Sequence, residues 1–126
     1  MEVVYMEKRE TIHDVIQAIG AKPEKDMKGV YSLIQDPYYD IIIVNKERSY
    51  MSITVSRNID KADLCCEKLN SLNTDPTMGT HSVIQNAYLY RHIQYFDQSG
   101  ICSEEVSRIL QECHNNSDRG FEYLTM

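Results

Sequence analysis

Two stretches of this sequence decide the fold, Asp40-Ile41-Ile42-Ile43-Val44 and then Tyr50-Met51-Ser52-Ile53-Thr54-Val55-Ser56. In the second stretch apolar and polar residues alternate, which predicts a strand with one buried face and one polar face. In the first stretch both alternating sets are apolar, so this strand needs cover on both faces. Together they predict a small α+β domain whose sheet keeps a second apolar patch for another surface.

The residues before these strands complete a meander. Thr11 is a good N-cap, and the apolar residues that follow it at helical spacing predict a helix that ends at Ile19, before Gly20. A strand over residues 30–34 then reaches the Asp36-Pro37 turn, which leads into the Ile-rich strand. Because the turn between the two quoted stretches is also short, three consecutive antiparallel strands are expected.

The middle of the chain predicts one more helix and two more strands. Asp60 is expected to cap an amphipathic helix that runs to Leu72. Residues 81–84 and 88–96 then have the composition of strands, and the short segment between them is typical of a turn. This second pair of strands extends the predicted sheet from three strands to five.

The C-terminal part predicts a last helix over residues 103–113, capped by Ser103. Residues 115–120 are Asn, Ser, Asp, Arg and Gly, a composition that favours the end of a helix, although Phe121 and Leu124 are suited to dock a final turn. The predicted fold is one α+β domain over residues 1–126 with a five-stranded antiparallel sheet and the element order α-β-β-β-α-β-β-α.

Size and charge restrict the function. The chain has 126 residues, of which 42% are hydrophobic and 25% charged, and this ordinary composition argues against a disordered or fibrous protein. The formal net charge of −6 makes binding to nucleic-acid phosphates unfavourable. No apolar run has the length of a membrane span, and the N-terminus lacks the apolar core of a signal peptide, so a cytoplasmic location without membrane contact is expected.

The four histidines do not have the spacing of metal ligands. None of His13, His81, His92 and His114 lies four residues from another histidine, and the adjacent Cys113 would diverge from His114 by about 100° on a helix. Ordinary positions at the surface or the rim of the core are therefore expected for these histidines, and no metal site is predicted.

The cysteines and glycines also lack a catalytic pattern. Cys65, Cys66, Cys102 and Cys113 form no C-x-x-C pair, and they are expected to be reduced, buried and hydrophobic in behaviour. The sequence contains neither a nucleophile elbow nor a glycine-rich loop that could wrap a phosphate. No catalytic residue and no cofactor are predicted, and a protein that is not an enzyme is expected.

Several short motifs occur in an informative order along most of the chain. They are Ile19-Gly20 at the end of the first helix, Gly29-Val30-Tyr31 at the start of the sheet, Leu69-Asn70-Ser71-Leu72-Asn73 at the end of the second helix, Gly79 before the fourth strand, and Gly100-Ile101 before Ser103-Glu104-Glu105. In this order they resemble the bacterial YbjN family, whose members look like type III secretion chaperones in fold.

The resemblance implies a type III secretion chaperone-like fold and a domain that works through protein contacts, frequently as a homodimer. The family label, sensory transduction regulator, implies no known chemistry, and the resemblance provides no catalytic residue. Three features are not associated with the family, namely the Asp75-Pro76-Thr77-Met78 loop, the Cys65-Cys66 pair and the Asn-rich tail, so the preferred partner is left open.

Tyrosines supply the candidate interaction surface. The chain has nine tyrosines and no tryptophan, and a tyrosine ring adds apolar area while its hydroxyl tolerates water. The alternative is that these rings pack against strand neighbours, and both interpretations stay open. The predicted interface with a second copy or with a client protein consists of Tyr31, Ile42, Val44, Tyr50, Tyr88 and Tyr90.

A second function remains as a competing hypothesis. The chain can also be read as a small-ligand or enzymatic domain that uses a pocket between the sheet and the helices. Such a domain is expected to have a deep pocket lined by His81, His92 or Cys66, with a strongly perturbed pKa.

Overall fold

The computed structural model describes residues 11–60, 66–74, 79–97 and 100–126. Three helices and six strands lie within these ranges. The helices are α1 (Ile12–Ala18), α2 (Cys66–Leu72) and α3 (Ser103–Thr125), and the strands are β1 (Lys22–Pro23), β2 (Val30–Gln35), β3 (Tyr38–Asn45), β4 (Tyr50–Asn58), β5 (Thr80–Ile84) and β6 (Ala87–Tyr95).

The predicted meander is present, and the Ile-rich strand lies in the interior of the sheet. The strand order is β1-β2-β3-β4-β6-β5, with every neighbouring pair antiparallel. In β3 and β4, Ile42 lies opposite Ile53 and Ile43 lies opposite Ser52. Because side chains alternate along a strand, this register sends Ile42 and Ile53 to one face of the sheet and Ile43 and Ser52 to the other.

Helices cover the face that contains Ile42 and Ile53, which we call the inner face. Both residues are fully buried there, in a core that continues through Val15 of α1 and Val106 of α3. Thr11 caps α1 as predicted, since its side chain accepts a hydrogen bond from the backbone N–H of Asp14. The shorter α2 packs against α3 and β5.

The sheet has six strands rather than the predicted five. The additional strand is β1, in which Lys22 and Pro23 pair with Ser32 and Tyr31 of β2. Two residues are too few to show an alternating pattern in the sequence. Proline has no backbone N–H to donate, and an edge strand such as β1 tolerates this because one of its sides has no neighbouring strand. The predicted α+β class and the antiparallel sheet are confirmed.

The last helix does not end near residue 113, as predicted, but continues to Thr125. The intrinsic preferences of Asn115, Asn116, Ser117, Asp118 and Gly120 oppose this extension by roughly 3 kcal/mol in total relative to alanine. Contacts with the sheet, described below, offset this cost because several of these residues lie on the side of α3 that faces the inner face. Tertiary structure therefore overrides local propensity in this segment.

Some predictions lie outside the described residues. These are the first part of the second helix, over residues 61–65, which includes Cys65, and the loop over residues 75–78.

Candidate interaction surface

The outer face of the sheet, opposite the inner face, is nearly uncharged. In β2 to β6 its outward positions carry aliphatic, hydroxyl, amide and aromatic side chains, and Arg91 is the one ionic residue among them. Nε of Arg91 donates a hydrogen bond of 3.0 Å to Oγ of Ser52, so Ser52 is buried although it points outward. The apolar side chains of the three described helices pack in or against the core on the inner face instead.

Large apolar side chains remain exposed on this face. Ile34 at one side of the sheet is 71% exposed, and Tyr95 towards the other side is 70% exposed. Ile43 and Ile93 lie in one row across the sheet, separated by Ser52 of β4. An apolar patch of this kind on a folded chain commonly marks a contact with another molecule. We call it the open-face patch, and it consists of Ile34, Tyr39, Ile43, Ile84, Ile93 and Tyr95.

Four of the six predicted interface residues belong to the core instead. Tyr31, Ile42, Tyr88 and Tyr90 all point to the inner face, and each is at most 5% exposed. The physical reason is register: Val55 of β4 lies opposite Tyr90 of β6, so the tyrosine shares the face of a fully buried residue. These four residues are therefore not available to a partner in this conformation.

The other two predicted residues are partly exposed. Val44 points to the inner face at its margin, whereas Tyr50 points to the outer face. Tyr50 packs edge to face against Tyr95 of the open-face patch, with 6.0 Å between ring centroids. Of the six residues, only Tyr50 therefore lies on the open surface, where its role as an interface residue remains a prediction.

The residues that sequence reasoning missed are those of the open-face patch. The sequence did contain a signal for Ile43. Successive side chains of a strand point to opposite faces, so Ile43 must point outward if Ile42 is buried on the inner face. The pattern in β6 gave no such signal. Leu89 and Ile93 alternate there with Tyr88, Tyr90 and His92, so neither face of this strand is distinctly polar.

A polar layer lies between α3 and the inner face. Nε2 of His114 lies 2.6 Å from Oδ2 of Asp40, and both side chains are buried. The ring of Tyr38 stacks on His114, with 4.2 Å between ring centroids. The prediction that this histidine lies at the surface or at the rim is wrong, since an imidazole beside a buried carboxylate is satisfied within the core.

One helical turn further along, Asp118 joins α3 to two strands. Its carboxylate accepts a hydrogen bond from the Tyr38 hydroxyl at 2.6 Å and pairs with the Arg57 guanidinium at 3.2 Å. Burial, followed by the hydrogen bond to the Asp118 carboxylate and the charge of that group, raises the pKa of Tyr38 to about 12. Arg57 also lies over the ring of Phe121, 3.7 Å from its centroid.

The tyrosines of β6 meet the same helix. The amide of Asn116 donates to the Tyr90 hydroxyl at 3.2 Å, and the Tyr88 hydroxyl lies 2.6 Å from Nδ1 of His81. Burial raises the pKa of both tyrosines. His81 is also buried, which corrects the surface position predicted for it.

Gly120 allows this approach of helix and strand. A Cβ at this position would overlap the Tyr88 hydroxyl and lie 2.9 Å from the His81 ring. Gly120 belongs to the segment whose composition predicts the end of the helix, yet the packing of α3 on β6 requires a glycine at this position.

The cysteines agree only in part with the prediction. Cys113 is buried, and burial raises its pKa to about 12, which fits a small hydrophobic residue. Cys66 is exposed, contrary to the prediction. Over the described ranges, no three His, Cys, Asp or Glu side chains come together in a way that would hold a metal ion.

A pocket of about 190 Å³ lies where α1, β2 and α3 meet. Residues from these three elements, and none of His81, His92 or Cys66, form its walls. The lining residues are Ile19, Leu33, Gln35, Ser107, Leu110, Gln111 and His114. This pocket is therefore a different one from the pocket expected for a ligand-binding or enzymatic domain.

Comparisons with known proteins locate the fold. No family model matches the sequence, and no curated protein matches it. The chain is similar to a chain in the structure of the HopA1–SchA chaperone–effector complex, with a TM-score of 0.62, 14% identity and coverage of 86% of this chain and 87% of that chain. It is also similar to the crystal structure of YbjN, a candidate transcription regulator from E. coli, with a TM-score of 0.57, 9% identity and coverage of 88% and 87%.

These likenesses confirm the predicted YbjN-like and chaperone-like fold. At identities of 14% and 9% they establish the fold and leave the activity to be argued from the surface. In the portion of the chain that is described, no helix has both the length and the apolarity to cross a membrane.

Proposed function

We propose that this chain is a non-enzymatic protein-interaction module of chaperone-like or regulatory type, and that its open-face patch binds a second copy of the chain. The observation that carries the proposal is the outer sheet face, on which Ile34, Ile43, Ile93 and Tyr95 are exposed beside a single ionic side chain, Arg91. Burial of apolar area is the main favourable term in protein association.

Charge makes the outer face the place where a second copy can bind with least repulsion. Two chains that each carry a formal charge of −6 repel one another, and this repulsion is smallest where the contact itself contains no acidic side chain. The outward positions of β2 to β6 meet that condition, since Arg91 is their one ionic residue. A basic client would instead be attracted to the acidic surface elsewhere on the chain.

The size of the outer face also suits a dimer. Strands about 4.8 Å apart and about 3.3 Å per residue give five strands a face of roughly 20 by 20 Å, or about 400 Å² in projection. This is about half of the roughly 800 Å² that each partner contributes to a standard interface, so the face suits a small dimer contact that forms at micromolar or higher protein concentration. Tyr50 and Tyr95, in edge-to-face contact, would lie at one margin of that interface.

The solution mass tests the proposal. Light scattering at tens of micromolar protein is expected to give twice the 14.7 kDa of one chain. Ile43→Lys, which adds a charge to the outer face, is expected to give a monomer with an unchanged circular dichroism spectrum. Gln17→Lys adds the same charge to the exposed side of α1 and is expected to leave the dimer intact.

Three results would count against this assignment. A wild-type chain that stays monomeric contradicts the dimer and leaves a client polypeptide as the occupant of the patch, in keeping with the chaperone–effector complex that shares the fold. A dimer that survives Ile43→Lys moves the interface to another surface. A dimer lost in both variants shows that added charge, rather than its position, is responsible.

A further inference from the structure

We infer that the C-terminal half of α3, residues 114–125, is a strap that opens locally from the sheet while residues 103–113 stay docked. The inference rests on a change in the side chains through which α3 contacts the sheet, which are apolar up to Cys113 and mainly polar from His114 onward. It does not depend on the proposed dimer, because the strap lies on the inner face and the open-face patch lies on the outer face.

The first half of α3 is held by apolar burial. Its residues that face the core are Val106, Ile109, Leu110 and Cys113, each at most 7% exposed. Opening this half would expose a continuous apolar stripe to water, which is strongly unfavourable.

The strap is held mainly by polar contacts. The hydrogen bonds from α3 to the sheet that the described residues show are made by His114, Asn116 and Asp118. Its buried positions include Ser117 and Gly120. Leu124 is its one fully buried aliphatic side chain, and the partly buried Phe121 adds an apolar contact with Tyr88. On opening, these polar groups exchange protein partners for water, so the net loss is much smaller than for apolar burial.

The sequence of the strap lowers the cost of opening further. Asn115, Asn116, Ser117, Asp118 and Gly120 are weak helix formers, so a detached strap gains more from becoming disordered than an alanine-rich helix would. Opening would uncover the hydroxyl ends of Tyr38, Tyr88 and Tyr90. The strap therefore covers a tyrosine-rich part of the inner face that is distinct from the open-face patch.

Amide hydrogen exchange of the full chain tests the strap. In the wild type we expect residues 116–121 to share one protection factor, at least ~10-fold below that of residues 107–113, with a step between Cys113 and Asn116. Simple fraying from the C-terminus would instead give protection that rises gradually along the helix. A gradual rise, or equal protection in both halves, would overturn the inference.

Substitution of Asp118 provides the matched perturbation. Asp118→Ala removes the contacts with Tyr38 and Arg57, and it is expected to speed exchange of the strap by a further ~10-fold without changing residues 103–113 or β3. Asp118→Asn, which keeps the shape of the side chain, is expected to produce a smaller change in the same residues. Glu112→Ala removes a carboxylate that pairs with Arg108 on the exposed side of α3, and it is expected to leave the strap unchanged.

Two outcomes with these variants contradict the strap. Equal acceleration of both halves of α3 and of β3 in Asp118→Ala would mean that the strap opens only when the whole chain unfolds. Unchanged exchange of the strap in both Asp118 variants would mean that the polar contacts do not hold it. The solution mass is measured on the same samples, so the dimer and the strap are judged separately.

Discussion

Glycine normally weakens a helix, but at position 120 of α3 a glycine is expected to stabilise the protein. In an exposed helix, replacing glycine by alanine stabilises by about 1 kcal/mol because alanine has the higher helix propensity. Gly120→Ala is expected instead to destabilise the protein by about 1–3 kcal/mol, because its Cβ would overlap the hydroxyl of Tyr88, which is fully buried. Urea denaturation measures the change.

The neighbouring Asn115 supplies the control for this prediction. It is exposed on the same helix, and Asn115→Ala is expected to raise the free energy of unfolding by up to about 0.5 kcal/mol, because the gain in helix propensity exceeds the loss of an exposed hydrogen bond from Gln111. Opposite signs for the two alanine variants support the packing of α3 on β6 as described. A stabilising Gly120→Ala would show that Tyr88 and His81 do not crowd this position.

At the scale of elements, strand pattern and caps made most of the fold predictable. The alternation in Tyr50–Ser56 correctly placed Ile53 in the core, and Thr11 correctly marked the start of α1. Local rules failed where long-range contacts decide. The extension of α3 depends on hydrogen bonds from Asn116 and Asp118 to strands far away in sequence, and no local pattern contains them.

The facing of the tyrosines could not be predicted for a related reason. In β6 both alternating sets contain apolar side chains, so periodicity alone leaves two registers open. The pairing of Val55 with Tyr90 selects one of them and sends Tyr88 and Tyr90 inward. The outer residues, Ile93 and Tyr95, form the candidate site instead.

The next prediction tests which side chains of β4 point to the inner face and which point to the outer face. Ile53→Asp is expected to unfold the protein, because an unpaired carboxylate at a fully buried position costs several kcal/mol, which is close to the whole stability of a small domain. Ser52→Asp is expected to be mild, because Nε of Arg91 lies 3.0 Å from the Ser52 hydroxyl and can pair with a new carboxylate. Thermal melting followed by circular dichroism compares the two variants, and similar melting temperatures would contradict the assigned faces.

At the scale of the whole molecule, protonated tyrosines fix the helix layer to the sheet. Tyr38 donates to Asp118 of α3, Tyr90 accepts from Asn116 of α3, and the Tyr88 hydroxyl lies beside His81. Burial raises the pKa of all three. Each of these side chains is neutral below its pKa, so the contact between α3 and the sheet contains the uncharged phenols. Alkaline pH, which favours the charged phenolates, is therefore expected to lower the free energy of unfolding.

The sign of this effect follows from linkage. Burial, together with the Asp118 carboxylate, raises the pKa of Tyr38 to about 12 in the folded state, whereas the usual pKa of a tyrosine side chain is 10.0. The stability that Tyr38 contributes is therefore fully present below about pH 10 and is lost as the pH rises through about 12. Urea denaturation between pH 9 and 12 is expected to show falling stability, with a shallower fall in Tyr38→Phe.

Phe121→Leu is the control, because it alters packing on the same Arg57 without removing a titratable group. It is expected to lower the free energy of unfolding at every pH and to keep the wild-type dependence on pH. If Tyr38→Phe has that same dependence on pH, Tyr38 does not bind its proton more tightly in the folded state, and the hydrogen bond to Asp118 contributes little to holding α3 on the sheet.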